Sequence, residues 1–204
     1  MNYLAIDTSG KNLTVIICKD GEIFNYSDAE CGVNHSVELM VRVEELAKKS
    51  GFDFSTADFF SAVVGAGSFT GIRIGVATVK AMCFAFNKPC LSVTSFDTLA
   101  YNTDGKVLAL IDAKHNGFYA CGYENNKVIL EPSYLMRDKV ESIINEYDKV
   151  VSSTPIDGFS VSVSVVSVFE GLKRAIELKS DQVSGDLETL SPLYVRKSQA
   201  EEGR

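Results

Sequence analysis

The sequence predicts an α/β protein built from two similar halves, and three observations predict it. An apolar strand that ends on an aspartate occurs twice, as YLAID at 3–7 and as VLALID at 107–112. Two more strand-like segments follow each copy, joined by Asp20-Gly21 in the first half and by Asn125-Asn126 in the second, dipeptides that suit the positive φ angles of a tight hairpin. Beyond each hairpin, both halves change to alternating helices and strands.

Each remaining element is predicted from its own pattern. The segment from His35 to Ser50 has apolar residues near helical period, among them Val37, Met40 and Val41, with Asn34 as its N-cap. The further predicted elements are a strand at 59–64, a helix at about 70–86, a strand at 90–93, a helix near 95–101, a helix around 137–146, a strand at 149–152 and a last helix within 164–179.

This order of elements describes a duplicated ribonuclease-H-like plan, the fold class of actin, Hsp70 and the sugar kinases (ASKHA). We expect an N-terminal half at 1–103 that carries partner-binding helices. A C-terminal half at 104–204 follows, and its final tail packs back on the first half.

The composition indicates an ordinary globular protein and argues against direct binding of nucleic acid. The chain has 204 residues, of which 46% are hydrophobic and 23% charged, as in ordinary globular domains. Its formal net charge is −7 and no basic cluster is visible, so we expect it to reach RNA only through a partner protein.

The same composition predicts a cytoplasmic protein with no membrane partner. The start of the chain lacks a basic region and meets Asp7 before any apolar run develops, unlike a signal peptide. No run approaches the roughly 18 apolar residues that a membrane span needs. The five cysteines are scattered, with no Cys-x-x-Cys pair, which favours reduced core residues over disulfides or a metal set.

Two strand-end loops are the candidate phosphate sites of this fold class. The loop from Asp7 to Gly10 offers hydroxyls and a flexible residue, and could approach a phosphate. The loop that starts at Asp112 has no glycine until Gly117, although a backbone that embraces phosphate prefers residues without a Cβ. We therefore interpret both aspartates as caps of neighbouring backbone amides.

Neither histidine has a partner for metal binding within sequence reach. A zinc pair that includes His35 would need a ligand four residues on, where the chain has Leu39, and His115 lies in a loop without a second ligand. No nucleophile motif is present either. We expect no catalytic, metal or cofactor residue.

The stretch GAGSFTGIRIG at 65–75 carries the densest cluster of glycines. It is no P-loop, because no lysine precedes its Ser68 or Thr70 at the required spacing; either residue could instead cap the helix. Gly71 and Gly75 lie one helical turn apart and each costs about 1 kcal/mol against alanine, so close packing should compensate. The spacing leaves open whether that packing is internal or against another protein. The predicted core face is Ile72, Val76, Val79, Cys83 and Phe86, and the smooth neighbouring face is Gly71, Gly75 and Thr78.

The same glycine stretch resembles the Gly-Pro-Gly-Ser-Phe-Thr-Gly-Leu-Arg signature of the bacterial TsaB (YeaZ) family. LAIDTS near the start, His35-Ser36 and the closing PLYVRKSQAE also match, over Tyr3 to Glu201. The chain departs from the family at Ala66, where proline is usual, and mildly at Val195. At the second loop, Lys114 and His115 replace arginines and Gly117 replaces a glutamate, which puts any role of that acidic side chain in doubt.

The resemblance implies a non-catalytic subunit required for threonylcarbamoyladenosine beside the anticodon of tRNA. The catalytic paralogue TsaD holds a metal through a His-x-x-x-His pair, and an ATPase, TsaE, completes the complex. Family members pair with TsaD, or with themselves as a homodimer, through the first two helices, where nucleotide could also bind. Carried onto this chain, the interface comprises His35, Leu39, Arg42, Ser68, Thr70, Gly71, Arg73, Gly75, Thr78 and Val79.

Two other classes of function remain open from the sequence. The chain could be an active enzyme of the actin-like fold, either a small-molecule kinase or a metal-dependent peptidase, which tight ATP binding or a retained metal would indicate. It could also be a free-standing homodimeric binding module, which a stable dimer indifferent to TsaD would indicate.

Overall fold

The computed structural model describes residues 1–28, 31 and 34–196, and in this part of the chain it has ten strands and five α-helices. The strands are β1 (Tyr3–Asp7), β2 (Leu13–Lys19), β3 (Glu22–Asp28), β4 (Phe59–Val63), β5 (Cys90–Val93), β6 (Lys106–Asp112), β7 (Gly117–Glu124), β8 (Lys127–Met136), β9 (Lys149–Ser152) and β10 (Val163–Val165). The helices are α1 (His35–Ser50), α2 (Phe69–Phe86), α3 (Ser95–Ala100), α4 (Arg137–Ile143) and α5 (Val168–Lys179). The last residues of the closing tail motif, from 197 on, lie outside the described residues.

The strands form two five-stranded sheets with one repeated topology. The first sheet has the order β3-β2-β1-β4-β5 and the second β8-β7-β6-β9-β10. In each sheet the first strand in the chain pairs antiparallel with the next one and parallel with the strand on its other side. This repeat confirms the predicted duplicated α/β fold of the actin-like class.

Both hairpins turn where the sequence predicts. Asp20 and Gly21 have φ angles of 52° and 87°, and Asn125 and Asn126 have 50° and 63°. Paired positive φ angles give the turn a twist that matches the flanking strands. Asparagine and glycine adopt that region more readily than other residues, so the turn dipeptides set the register of each hairpin.

The ends of the first two long helices differ in how they are capped. Ser68 caps α2, because its hydroxyl accepts a hydrogen bond from the Gly71 amide at 3.2 Å. Asn34 stands at the N-cap position of α1, but its side chain makes no capping hydrogen bond, so the prediction of a side-chain cap there is wrong. α1 ends at Gly51, which is left-handed with a φ of 61°.

The core beneath α1 and α2 forms against one face of the first sheet. Alternate residues of the strands, such as Leu4 and Ile6 of β1, point into it. α1 and α2 cover this face with their buried apolar residues, which are Leu39, Val43, Leu46, Ala47, Ile72, Val76, Val79, Met82 and Cys83. Phe86 is the exception to the predicted core face: it is 38% exposed and its ring packs against Phe54 and Phe60.

The chain divides into two compact units. The first consists of Met1–Thr94 and Ile176–Leu193, and the second of Ser95–Ala175 and the segment that begins at Tyr194. Within the first unit, the Leu193 amide donates to the Val64 carbonyl at 2.7 Å. Within the second, the Arg196 guanidinium lies 4.5 Å from the centre of the Tyr134 ring.

By length and composition, α2 would be able to cross a membrane, and it is the one such helix in the described part of the chain. The sequence-based expectation concerned a run of about 18 apolar residues, and α2 is not such a run, because Arg73 and Lys80 interrupt it. Its apolar composition follows from its position in the fold, since Ile72, Val76 and Val79 fill the core of the first unit. Core helices pass the same composition test as membrane spans.

We predict that Gly171→Ala destabilises the protein although alanine favours helices. Gly171 lies in α5, and a Cβ there would collide with the Thr98 carbonyl oxygen and lie 2.6 Å from its carbon. The overpacking should cost roughly 1–3 kcal/mol, more than the helix propensity gained. Denaturant melts measure the loss. Gly185→Ala is the control, because nothing lies within 4 Å of its added methyl group, and equal melts for both variants would contradict the prediction.

Candidate functional site

Asp7 ends β1 and is buried, with 4% of its surface exposed. Its Oδ1 accepts hydrogen bonds from the Ser9 amide at 2.8 Å and from the Ser9 hydroxyl at 2.7 Å. The carboxylate therefore closes the turn that follows the strand, and its interpretation as a strand-end cap is confirmed.

Burial raises the pKa of Asp7 above its ordinary value, against the opposing effects of the Ser9 hydrogen bonds and of the nearby His35 imidazole. His35 begins α1 and is itself buried, with Nε2 3.2 Å from the Asn12 carbonyl oxygen. Around the loop after β1, four polar side chains are thus buried: the carboxylate of Asp7, the imidazole of His35 and the hydroxyls of Thr8 and Ser9.

The first turns of α2 lie directly on this loop. The Ser68 amide donates to the Ser9 carbonyl oxygen at 2.6 Å, and the Thr8 hydroxyl donates to the Gly71 carbonyl oxygen at 2.7 Å. A Cβ on Gly71 would collide with the Thr8 carbonyl oxygen, and one on Gly75 would lie 2.5 Å from Thr8 Oγ1. Only glycine at these two positions lets the helix backbone approach so closely.

The interpretation that Gly71 and Gly75 receive a partner helix is therefore corrected. Their bare side faces Thr8 and Ile6 of the same chain, so the packing that the sequence left open is internal. The ten residues carried over as an interface divide into two sets. The buried set is His35, Leu39, Gly71, Gly75 and Val79. The set that reaches the surface, fully or in part, is Arg42, Ser68, Thr70, Arg73 and Thr78.

The outer sides of α1 and α2 expose apolar residues that the helical periodicity did not separate from the core set. Val37, Met40 and Val41 of α1 are 68%, 51% and 47% exposed, and Phe84 of α2 is 84% exposed. The signal in the sequence was that apolar positions of α1 cover more than one side of the helix. Val37, Met40 and Val41 lie within about one helical turn of each other, and a contiguous apolar patch is a common mark of an interaction site on a protein.

The two arginines of α1 and α2 are each held by neighbouring side chains. Arg42 forms ion pairs with Glu38 at 2.7 Å and with Glu45 at 2.8 Å, and its guanidinium lies over the Tyr26 ring. Arg73 of α2 stacks on the ring of Phe69, 3.7 Å from its centre. An apolar centre with a polar rim is the usual anatomy of a protein–protein interface.

In the second unit, Asp112 ends β6 and is used in the same way as Asp7. Its Oδ1 accepts from the Lys114 amide at 2.8 Å, and its Oδ2 binds the Lys114 ammonium at 2.7 Å. Burial acts to raise the pKa of Asp112, but the hydrogen bonds and charge of Lys114 outweigh it and lower the pKa below the ordinary value. The predicted capping role is confirmed here as well.

The loop after Asp112 turns without glycine. Lys114, His115 and Asn116 have φ angles of 67°, 52° and 60°, a left-handed run that usually costs energy in residues with a Cβ. The chain then enters β7 at Gly117, where a Cβ would collide with the Tyr134 side chain. A larger residue here, such as the glutamate of the pattern that the sequence resembles, would require the Tyr134 side chain to move.

No group of three or more His, Cys, Asp or Glu side chains in the described residues is placed to hold a metal ion. Leu39, four residues after His35, is 1% exposed and packs in the core of the first unit. The five cysteines are buried free thiols.

We predict that Gly75→Leu destabilises the protein by roughly 1–3 kcal/mol, because the added side chain must displace Thr8 from α2. The gain in helix propensity of up to about 1 kcal/mol does not compensate. Denaturant melts provide the measurement. Ala77→Leu, at an exposed position of the same helix, is the control and should melt like the wild type. An unchanged melt of Gly75→Leu would show that its bare side faces solvent.

We predict that Asp7→Asn is more stable than the wild type at neutral pH. The folded-state pKa of Asp7 is raised, so the carboxyl favours folding while protonated and loses that contribution as pH rises through the folded pKa. The advantage of the variant should shrink as pH falls through the folded-state pKa and should be gone below about 4, the ordinary pKa of an aspartate. Urea melts across this range test it.

Asp112→Asn is the matched control for that experiment and should behave in the opposite way. Because the pKa of Asp112 is lowered, its charge favours folding at neutral pH, and the variant should lose stability there but not in acid. Parallel pH profiles of the two variants would contradict one of the two assignments, and the direction of the shared change would show which.

Comparison with known proteins identifies the family. The model of the family described as TsaD, tRNA N6-adenosine threonylcarbamoyltransferase, matches residues 29–180. The tRNA threonylcarbamoyladenosine biosynthesis protein TsaB of Bacillus subtilis is 32% identical over 136 residues, which are 64% of this chain and 58% of that protein. The protein of the same name from Escherichia coli is 25% identical over 162 residues, 72% of this chain and 69% of its own. The matched part thus spans less than two thirds of the Bacillus protein.

A solved structure agrees in fold. YeaZ from Pseudomonas aeruginosa superposes with a TM-score of 0.76 at 22% identity, covering 95% of this chain and 99% of its own. The family match and the shared fold lead to one assignment: the chain belongs to the TsaD family and, within it, to the TsaB (YeaZ) group.

Proposed function

We propose that this protein is a non-catalytic subunit required to form the threonylcarbamoyl group on the adenosine beside the anticodon of tRNA. It acts with a catalytic TsaD paralogue and a TsaE ATPase in the cytoplasm, and meets tRNA inside that complex. The observation that carries the proposal is the match to proteins named for threonylcarbamoyladenosine biosynthesis. We infer the pathway from the names of those relatives and the non-catalytic role from the residues of this chain.

The non-catalytic role is supported by what occupies the two strand-end loops. Asp7 is engaged by Ser9 and Asp112 by Lys114, so each carboxylate holds its own loop together. Leu39 stands where a His-x-x-x-His pair starting at His35 would have its second histidine, and it is part of the hydrophobic core. These side chains serve folding in this chain, and the chemistry falls to the paralogue.

The partner surface that we propose is the outer side of α1 and α2. Its apolar centre consists of Val37, Met40, Val41 and Phe84, and we call it the helix patch. Arg42, Ser68, Thr70, Arg73 and Thr78 supply polar groups around it. The buried members of the ten residues carried over as an interface contribute indirectly, since Gly71 and Gly75 fix the position of α2. In the absence of TsaD, the same patch would pair two copies of the chain.

Removal of the gene tests the proposed function directly. Cells without it should lose threonylcarbamoyladenosine from their tRNA, measured by mass spectrometry of digested nucleosides, and expression of the intact chain should restore it. Full modification in the deleted strain would overturn the proposal. Purified chain with ATPase or peptidase turnover that disappears in Asp7→Ala would instead favour the enzyme alternative.

We predict that Met40→Glu combined with Val41→Glu abolishes binding to TsaD and leaves the chain folded. The changes remove apolar area that binding would bury, and they place two carboxylates without partners in the centre of an apolar interface, where desolvation of each costs free energy. At a hot spot this should weaken binding by tenfold or more for each residue. Pull-down with TsaD and tRNA modification in cells measure the effect.

The control for this pair is Val128→Glu on β8, which changes a residue of similar exposure, 44%, in the second unit. It should bind TsaD as the wild type does. Normal binding of the α1 double variant would remove the helix patch from the proposed interface.

A further inference from the structure

A cavity of about 310 Å³ lies in the second unit at the carboxyl ends of β6 and β9. Its walls are the loop from Asp112 to Asn116, the start of α4 at Arg137 and the segment from Pro155 to Asp157 after β9. β6 and β9 are parallel neighbours, and ligands of α/β sheets bind at the carboxyl ends of such strands. We call this cavity the β6 pocket.

Two cationic side chains, Lys114 and Arg137, and the imidazole of His115 line the β6 pocket, together with two carboxylates, Asp112 and Asp157. Asp112 is already paired with Lys114 at 2.7 Å. The ammonium has three N–H donors, so it can hold Asp112 and still bind a further acceptor. With His115 counted as neutral, the pocket lining has as many cations as carboxylates, whereas the whole chain has a net charge of −7.

Arg137 is held in place by the fold. Its guanidinium lies 4.5 Å from the centre of the Phe159 ring and 5.2 Å from that of Phe118. Its Nη1 donates to the Asp157 and Gly158 carbonyl oxygens, each at 3.1 Å. Both bonds use Nη1, so the planar group keeps Nη2 for an acceptor, and a rigid guanidinium suits phosphate oxygens.

The shape favours an RNA backbone over a free nucleotide. The Lys114 side chain is 71% exposed and His115 and Asn116 are exposed as well, so these side-chain donors lie at the rim of the cavity. The three left-handed residues of the loop carry side chains, and glycine follows only at Gly117, so no bare backbone encloses a terminal phosphate. At the small end of ligand pockets, the volume accommodates a single phosphate group.

We propose that the β6 pocket contacts one phosphodiester of the tRNA backbone through Lys114, His115 and Arg137. This inference rests on the proposed function, because the chain meets tRNA within the complex. The contact positions the tRNA and reads no base, as most phosphate contacts do. Lys114 and His115 replace the two arginines of the family pattern, and both still offer N–H donors to a phosphate.

The test uses the complete complex with TsaD and TsaE and the double variant Lys114→Gln, His115→Gln. The backbone amide of residue 114 still caps Asp112, so the loop should keep its fold. The dissociation constant for tRNA, measured over a range of salt concentrations, should rise about three- to tenfold. The slope of log K against log salt should fall by roughly one, as for one lost phosphate contact.

Lys127→Gln is the matched control. Lys127 lies exposed at the start of β8, and the change removes one formal charge, as in the double variant. Binding and slope of the double variant equal to those of the control would overturn the inference. So would weaker binding of ATP by the double variant with tRNA binding unchanged, because that result assigns the pocket to a free nucleotide.

The failure of this inference and that of the proposed function give different results. If the wild-type chain neither joins the complex nor supports modification, the proposed function falls and this inference with it. If the wild-type complex assembles and modifies tRNA while the double variant binds tRNA normally, only the β6 pocket loses its role. Size-exclusion chromatography of each complex and thermal melts of each variant exclude misassembly as the cause.

Discussion

The first unit depends on the close contact between the start of α2 and the loop after β1. The Thr8 hydroxyl binds the Gly71 carbonyl oxygen, and the Ser9 carbonyl oxygen accepts from the Ser68 amide. Each glycine lowers the intrinsic stability of the helix, by about 1 kcal/mol, and the contact offsets it by bringing two backbones together. The position of α2 in turn sets how far its outer side, which carries Arg73 and Phe84, lies from the sheet. Gly71 and Gly75, which face Thr8 and Ile6 of the same chain, thus position the surface that we propose for a partner.

The same topology carries two different loops after its two central strands. After β1, Asp7 is buried and its loop is covered by α2. After β6, Asp112 is more exposed, and its loop is closed by its own Lys114 and by Tyr134 behind Gly117. Burial makes the charge of Asp7 a cost, whereas the ammonium makes the charge of Asp112 favourable, which is why the two pKa values move in opposite directions. Duplication therefore gave one fold and two electrostatic environments.

Apolar residues of α1 and α2 have two distinct tasks. One set, with Leu39 and Val76, fills the core, and another, with Met40 and Phe84, is exposed. Both sets contribute to the same hydrophobic composition, so α2 resembles a membrane span by composition alone. The hydrophobicity of a helix gives the amount of its apolar surface. Packing against the sheet decides which apolar side chains are buried and which remain exposed.

The sequence by itself determined the fold class and nearly all of its elements. Strand-end aspartates, hairpin dipeptides and helical periods are local features, and Asp20-Gly21 and Asn125-Asn126 turn as their φ preferences require. The caps of α2 and of both strand ends were also predictable, because the side chain and the amide that it binds lie within three residues. Asn34 shows the limit of this reasoning, since a suitable residue at the right position made no capping bond.

The tertiary structure decided what the local pattern could not, which side of each helix meets the sheet. Gly71 and Gly75 are equally bare whether they face Thr8 or a second protein, and no spacing within α2 separates the two cases. Thr8 is distant in sequence and close in space, so only the paired strands bring it against the helix. In the same way, Arg137 reaches the Asp112 loop because β6, β7 and β8 fold side by side, and the pocket that they share has no counterpart in the linear sequence.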